Sequence, residues 1–171
     1  VASDQLDGVM TAAIVARWLR LHGKEWKVGA IIGRSDIDPL EKLNTIKGAL
    51  IYLLDLQPNM LSESAIRQIM QGNRIAYWCS DTPTSKTIIE TLGTTPIPSD
   101  LSIARSGLCC AELTAKRLLP NDATAQTLTS LARDIKLWRR SDEQATRLAD
   151  IAASGYDTKK LIDMLSKGVV W

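Results

Sequence analysis

The chain has 171 residues, of which 45% are hydrophobic and 23% are charged, and its formal net charge is +2. This length and composition are typical of one globular domain with its own hydrophobic core. A charge of +2 is too small to indicate nucleic-acid binding on its own. No apolar run approaches the roughly 20 residues of a membrane span, so we expect no interaction with a membrane.

The first part of the chain alternates between predicted strands and helices. The strands are apolar runs bounded by turn residues, and we predict them at Trp26 to Ile32, Ala49 to Leu54, Arg74 to Cys79 and Thr94 to Ile97. The helices begin at capping residues or end at glycine, and we predict them at Leu6 to Leu21, from Asp38, from Ser62 and from Thr84 or Ser85. The unbroken apolar run of Ala49 to Leu54 indicates a central strand of a parallel sheet.

The last part of the chain is predicted to be helical. After Gly107, helical segments follow one another at Leu108 to Leu119, Ala123 to about Arg140, Asp142 to Ser154 and Thr158 to Ser166. Strand–helix alternation followed by helices alone favours an α/β fold, with a doubly wound parallel sheet of about five strands and a helical tail at about residues 108–171. The short loops and the lack of repeats predict a single domain for residues 1–171.

Acidic and hydroxyl side chains follow the predicted strands. Asp7 precedes the first helix, Asp55 follows Leu54, and Ser80-Asp81 follows Cys79. Because the carboxyl ends of parallel strands meet at one edge of a sheet, we expect these residues to lie near one another. Carboxylates in such places hold hard divalent ions or act as helix caps and turn formers, and their positions alone leave both interpretations open.

Two of these positions resemble motifs of the DHH phosphoesterases, a family that includes the exonuclease RecJ. The first family motif is H-x-D-x-D-G; Asp7-Gly8 matches its last two letters, while Ser3 and Gln5 stand at the preceding ligand positions. The second motif, a single aspartate after an apolar strand, is intact at Asp55. The resemblance implies a DHH domain over nearly the whole chain, without the second, smaller domain that follows in active members.

The motif that gives the family its name is altered in this chain. Its aspartate and two histidines correspond to Ser80, Asp81 and Thr82, and a fourth family carboxylate corresponds to Asp134, which precedes Trp138. The resemblance implies vestigial ligand positions, with no catalytic residue, no bound metal and no other cofactor. These positions are Asp7, Asp55, Ser80, Asp81 and Asp134.

Metal-binding side chains other than carboxylates are scarce. The single histidine, His22, is predicted at a helix end on the far side of the sheet, and Cys79, Cys109 and Cys110 form no zinc-binding pair. Two-metal hydrolysis of a phosphodiester needs two ions about 4 Å apart, and scattered aspartates lack the imidazoles that help to fix a manganese pair. We therefore expect no enzyme activity. An odd number of cysteines favours a reducing, cytoplasmic location.

Within the family, the chain resembles the catalytically inactive branch that is RecJ-like and cell-division-cycle-45-like. This resemblance implies a scaffold for DNA replication that binds GINS and, through it, the MCM helicase, with weak binding of single-stranded DNA and a location at the nucleoid. The alternative is an enzyme, a divergent manganese-dependent phosphoesterase or single-strand exonuclease. Such an enzyme should carry several histidines near the strand ends, whereas this chain carries one in total.

A basic stretch near Trp138 is one candidate binding surface. Basic residues beside an aromatic ring suit single-stranded nucleic acid, through phosphate contacts and base stacking. The candidate nucleic-acid-binding residues are Arg133, Lys136, Arg139 and Arg140. The favoured interpretation of this stretch is nevertheless a solvated basic face, with Trp138 in the core.

The edge of the predicted sheet is the second candidate surface. An exposed edge strand presents N–H and C=O groups to which a partner can add a strand. Pro96 and Pro98 have no N–H to donate, so they limit strand addition at one edge. We therefore predict that the protein partner binds the other edge, at Val28 and Ala30 in the strand from Trp26 to Ile32.

Overall fold

The computed structural model of the protein describes residues 1–33, 42–56, 63–80, 101–103 and 108–170. Its strands are β1 (Ala2–Ser3), β2 (Ile31–Ile32), β3 (Leu50–Leu54), β4 (Arg74–Ser80) and β5 (Leu101–Ile103). They form a sheet in the order β2-β1-β3-β4-β5, and each neighbouring pair is parallel. The predicted α/β class with a parallel sheet is confirmed.

The centre of the sheet is β3, as its apolar run predicts. β1 lies on one side of it and β4 on the other, and the pairing with β4 extends from Leu50 opposite Arg74 to Leu54 opposite Cys79. Leu53 and Leu54 are buried, whereas Leu50 at the start of the strand is exposed. A strand between two parallel neighbours is covered on both faces, which explains the hydrophobic sequence.

The strand predicted at Trp26 to Ile32 is much shorter in the structure. Only Ile31–Ile32 forms β2, at one edge of the described sheet. Val28 is half-buried against the hydrophobic core, Ala30 is buried, and the Ala30 carbonyl oxygen accepts a hydrogen bond from the Ala2 N–H at 3.2 Å. Because these two residues precede the strand and pack inward, they do not form the open edge on which partner binding is predicted.

Some predicted elements lie outside the described residues. These are the strand at Thr94 to Ile97, the beginning of the helix at Asp38, the helix from Thr84, and the candidate ligand Asp81. Within the described part, β5 forms the second edge of the sheet, beside β4.

The structure describes six helices: α1 (Leu6–Leu21), α2 (Glu63–Gly72), α3 (Cys110–Leu118), α4 (Ala123–Lys136), α5 (Glu143–Ala153) and α6 (Thr158–Ser166). The last four are the predicted helical tail, and His22 ends α1 as predicted. α4 ends at Lys136 and not near Arg140, because Trp138 and Arg140 have φ angles of 56° and 48°, which an α-helix does not accommodate. No described helix is long and apolar enough to cross a membrane.

Helices cover both faces of the sheet. On one face, α1 and the four helices of the tail form a core that includes Leu54 and Tyr77. On the other face, α2 packs with Ile51, Leu53 and Ile75. α1 is buried along most of its length because the sheet lies on one side of it and the tail on the other. This arrangement brings the first turn of α1 and the beginning of α3 to the carboxyl ends of the strands.

Candidate functional site at the carboxyl ends of the strands

Asp7 lies in the first turn of α1, just after β1, and is 3% exposed. Its neighbour Gly8 packs directly against β1. A Cβ atom at position 8 would lie 2.8 Å from the carbonyl oxygen of Ser3 and closer still to the Ser3 Oγ. Only glycine allows this approach of helix to strand, so Asp7-Gly8 places the Asp7 carboxylate at the end of the sheet.

The carboxylate of Asp7 caps helix α3. The Cys110 N–H donates to Oδ2 at 3.0 Å, and the Ala111 N–H donates to Oδ1 at 2.9 Å. The first N–H groups of a helix have no partner within the helix, and a negative charge there also interacts favourably with the helix dipole. Each oxygen of Asp7 is therefore already engaged by the backbone of α3.

Asp55 is the second buried carboxylate of the site, with 2% exposure. It follows β3 with a φ angle of 55°, a region that aspartate tolerates better than most residues. Its N–H donates to the Cys79 carbonyl oxygen at 2.9 Å, which ties the turn to β4, and Oδ2 accepts a hydrogen bond from the Ser3 Oγ at 2.7 Å. Ser3, at a ligand position of the family motif, is thus a hydrogen-bond donor to Asp55.

A lysine connects the two carboxylates. The Lys136 Nζ lies 3.7 Å from Oδ2 of Asp7 and 3.8 Å from Oδ1 of Asp55, and its side chain is 23% exposed. Lys136 is the last residue of α4, and its ammonium points to the site instead of belonging to a solvated basic face. Nothing in the local sequence predicts this, because 129 residues separate Lys136 from Asp7.

The Cys110 thiol also borders the site. Ligand atoms of Asp7, Asp55 and Cys110 lie within 4.8 Å of one another, and these residues form the only group of potential metal ligands of this size within the described part of the chain. Hydrogen bonding with Cys79, followed by burial, raises the pKa of Cys110 well above its ordinary value. Burial, followed by the charge of Asp7, raises the pKa of Cys109 to about 12. Thiol sulfur is also a soft ligand, which suits zinc or copper better than manganese.

Of the other three predicted ligand positions, the structure describes Ser80 and Asp134, while Asp81 lies outside the described residues. Ser80 is fully buried at the end of β4, next to the strand that leads to Asp55. Asp134 lies on α4, but its carboxylate accepts hydrogen bonds from Ser141 and from the Asp142 N–H. The hydrogen bond from the Ser141 side chain is the main cause that lowers the pKa of Asp134. Asp134 thus stabilises the connection between α4 and α5.

The four basic residues of the predicted nucleic-acid surface are separated in the structure. Arg133 forms an ion pair with the buried Glu112, with 3.5 Å between Nη1 and Oε2, and Lys136 points to the carboxylates. Arg139 and Arg140 are exposed beyond the end of α4. The interpretation that places Trp138 in the core is wrong, since this residue is 77% exposed.

His22 lies far from the carboxylates. It follows the last residue of α1, and its Nδ1 donates to the Trp18 carbonyl oxygen at 2.8 Å. The 16 residues of α1 span about 24 Å at 1.5 Å per residue, with Asp7 in the first turn. The predicted position of His22 at a helix end is therefore confirmed, and the single imidazole of the chain is remote from the site.

The residues of the site fit a pair of manganese ions poorly. Asp7 accepts hydrogen bonds from the backbone of α3 with both oxygens, and the Lys136 ammonium already provides a positive charge to both carboxylates. An ion bound to Asp7 and Asp55 would face this ammonium at close range. The donor set also lacks the imidazoles that help to fix the geometry of manganese sites.

A cavity of about 700 Å³ lies between α1, the segment before β2, and β3. Its lining includes Trp18, Trp26, Val28, Leu50 and Leu54. The carboxylate pair and Lys136 do not line it. The buried carboxylate site is therefore distinct from this apolar space.

Comparisons with known proteins yielded no match to a protein-family model, a curated protein or a solved structure. The resemblance to DHH phosphoesterases therefore depends on the motif residues and their positions. Asp7 and Asp55 follow adjacent parallel strands and approach the same lysine.

Proposed function

We propose that the chain is a catalytically inactive, RecJ-like DHH domain that acts as a scaffold in DNA replication. The observation that carries this proposal is the Lys136 ammonium, which lies within 4 Å of both carboxylates of the two aspartate motifs. In an active two-metal enzyme, such carboxylates bind divalent ions, and the ions stabilise the attacking and leaving oxygens of the reaction. Here a lysine supplies the positive charge, and a lysine cannot activate water as a divalent ion does.

The charges of the site support an inactive domain. Asp7 and Asp55 contribute two negative charges, which face one lysine and the positive end of the α3 dipole. A metal ion would have to displace the ammonium and would compete with the two N–H groups that Asp7 caps. The carboxylates therefore serve to join β1, β3, α3 and α4, which is a structural role.

The partners follow from the resemblance to the inactive branch of the family. We assign GINS as the direct partner, the MCM helicase as the indirect one, and weak binding to single-stranded DNA as a further property. The proposed location is the cytoplasm, at the nucleoid. A rigid α/β domain without catalysis can still offer surfaces that hold other proteins in place, which is the role of a scaffold.

One observation favours the enzyme as a second candidate. Asp7, Asp55 and Cys110 place three potential ligand atoms within 4.8 Å of one another. A divergent manganese-dependent phosphoesterase would use this group after movement of Lys136. The two candidates differ in one measurable property, which is the response of the native chain to manganese.

The first test measures manganese binding and nuclease activity. We expect no calorimetric heat of binding at millimolar manganese and no cleavage of single-stranded DNA by the wild-type chain. Manganese-dependent cleavage that disappears in Asp55→Asn would establish the enzyme instead. Asp150→Asn, at an exposed position on α5, is the control for the loss of a carboxylate.

The second test measures the partnership. Purified chain and GINS should elute together in size-exclusion chromatography at micromolar concentrations of both. Separate elution of the two components contradicts the proposed scaffold. The same experiment in Asp55→Asn should give an unchanged complex, since the buried carboxylate does not take part in partner binding.

A further inference from the structure

The turn between α4 and α5 displays a tryptophan to solvent. Trp138 is 77% exposed, whereas Trp78 is 1% exposed. A tryptophan side chain removes a large apolar area from water when it is buried, so exposure on this scale forgoes a substantial stabilisation. Large exposed aromatic side chains with neighbouring arginines are characteristic of binding surfaces.

The backbone holds Trp138 in place. Trp138 and Arg140 both have positive φ angles, of 56° and 48°. The Asp134 carbonyl oxygen accepts from the Arg139 N–H at 2.9 Å, and the Asp134 carboxylate accepts from the Ser141 N–H at 3.1 Å. One aspartate therefore binds the turn on both sides of Arg140, and the presentation of Trp138 is pre-organised.

The charge around Trp138 is positive. The Arg140 guanidinium lies 5.3 Å from the centre of the indole ring. Arg139 lies near enough to Asp134 for its charge to contribute to the lowered pKa of that carboxyl. The acidic residues that follow are already engaged: Asp142 caps α5, and Glu143 pairs with Arg147. The turn thus combines one indole with two cationic side chains.

We propose that the turn Trp138–Arg140 is a docking element for a protein partner with an apolar pocket bordered by Asp or Glu side chains. Tryptophan and arginine are the residues that most often dominate the binding energy of protein interfaces, and pre-organisation lowers the entropy cost of binding. Nucleic acid is the less favoured ligand, because Arg140 covers a face of the ring on which a base would stack.

This inference rests on the proposed scaffold function and identifies the surface that would bind the protein partner. Val28 and Ala30 precede β2 and pack inward, whereas Trp138 and its neighbouring arginines are exposed. The turn begins two residues after Lys136, whose ammonium reaches the carboxylate site.

The experiment selects short peptides from a random displayed library on the immobilised full chain. The affinities of the enriched peptides are then measured by fluorescence anisotropy for the wild type and for variants. Trp138→Asn removes the indole but keeps a residue that tolerates a positive φ, and Arg140→Asn does the same for the guanidinium. Tyr156→Asn, at another exposed aromatic residue, is the matched control. Circular dichroism establishes that each variant is folded.

We expect acidic residues beside an apolar residue in the enriched peptides. Their affinity should fall at least about tenfold in Trp138→Asn, about fivefold in Arg140→Asn and not measurably in Tyr156→Asn. Equal binding by the wild type and Trp138→Asn, or peptides without acidic residues, overturns the proposal. Trp138-dependent binding of oligothymidylate without selection of acidic peptides also overturns it, in favour of nucleic acid.

The GINS co-elution experiment distinguishes failure of the docking turn from failure of the scaffold function. Co-elution that is unchanged by Trp138→Asn leaves the scaffold function in place and refutes the docking turn. Acidic peptides that need Trp138, with no co-elution of GINS, support the docking turn and refute the GINS partnership.

Discussion

The Cys110 N–H donates a hydrogen bond to the Asp7 carboxylate at 3.0 Å, across 103 residues of sequence. The aspartate that matches the first metal motif of a phosphoesterase family is thus the cap of a helix in the tail. α3 itself has no capping hydrogen bond from its own N-cap side chain, Cys109. Asp7 supplies that bond from another part of the chain and so fixes where α3 begins.

Replacement of Asp7 by alanine should destabilise the fold. The change leaves two N–H groups of α3 without an acceptor and removes a partner of Lys136. We expect the free energy of unfolding to fall by about 2 kcal/mol, at the upper end of values for the loss of a helix cap. Urea denaturation measures it. Asp150→Ala, at an exposed position, should change the value by less than about 0.5 kcal/mol.

Replacement of Gly8 by alanine should be more damaging. The new Cβ would lie 2.8 Å from a backbone oxygen of Ser3, so α1 would have to move away from β1. Because this contact is with backbone, we expect a loss of at least about 2 kcal/mol in the free energy of unfolding. The matched control is Gly72→Ala, where a Cβ meets nothing within 4 Å; this variant should be neutral or more stable. Similar losses in both variants would contradict the proposed contact.

The elements that were predictable from the sequence are those whose signals are local. The apolar run of β3 indicates a strand buried on both faces. The pair His22-Gly23 indicates the end of a helix. The end of α4 was missed because helical periodicity continues to Arg140, while the positive φ angles of the turn depend on hydrogen bonds to Asp134.

The site was predictable only in part, because some of its contacts depend on tertiary packing and not on local sequence. Asp7 and Asp55 follow strands, so the parallel sheet was sufficient to bring them together. The approach of Lys136 depends on how the tail packs against α1, which no short-range pattern encodes. The exposure of Trp138 has the same origin, since a tryptophan in a basic stretch suits either a core or a surface.

Acid should weaken the contact between α1 and the tail. Arg17 donates two hydrogen bonds to the carboxylate of Asp122, at 2.7 and 2.9 Å, and these bonds are the main cause that lowers the pKa of Asp122. A carboxyl whose pKa is lowered in the folded state stabilises the fold at any pH above its pKa in the unfolded chain, which is about 3.9. That stabilisation is lost as the pH falls through the folded pKa.

Asp122→Asn tests this contribution. Asparagine caps a helix about as well as aspartate, so the variant keeps the cap on α4 and removes the charge that faces Arg17. We expect a loss of about 1 kcal/mol near neutral pH, since the pair is partly exposed, and a vanishing difference from the wild type at acid pH. The control is Asp142→Asn, which caps α5 without an ion pair to a described residue. A difference that is constant with pH contradicts the prediction.

A double-mutant cycle between Lys136 and Asp55 should reveal coupling. Lys136→Met keeps the apolar stem and removes the ammonium, while Asp55→Asn suits the φ angle of 55° and keeps an oxygen for the Ser3 hydroxyl. Each single variant removes the attraction across 3.8 Å. We expect a coupling free energy of about 1 kcal/mol, between the values for exposed and fully buried pairs.

The two single variants should also differ in the size of their destabilising effects. Lys136→Met leaves two buried carboxylates without this cation and should destabilise the fold by about 2 kcal/mol, whereas Asp55→Asn leaves Lys136 with Asp7 and should cost less. The double variant should be more stable than the sum of the two losses predicts, because the second change removes a charge that the first left uncompensated. Chemical denaturation of the four proteins measures the cycle, with Lys167→Met as the control for an exposed ion pair with Asp163. Strictly additive losses would show that the lysine and the carboxylate do not interact, which would contradict a lysine in the place of a metal ion.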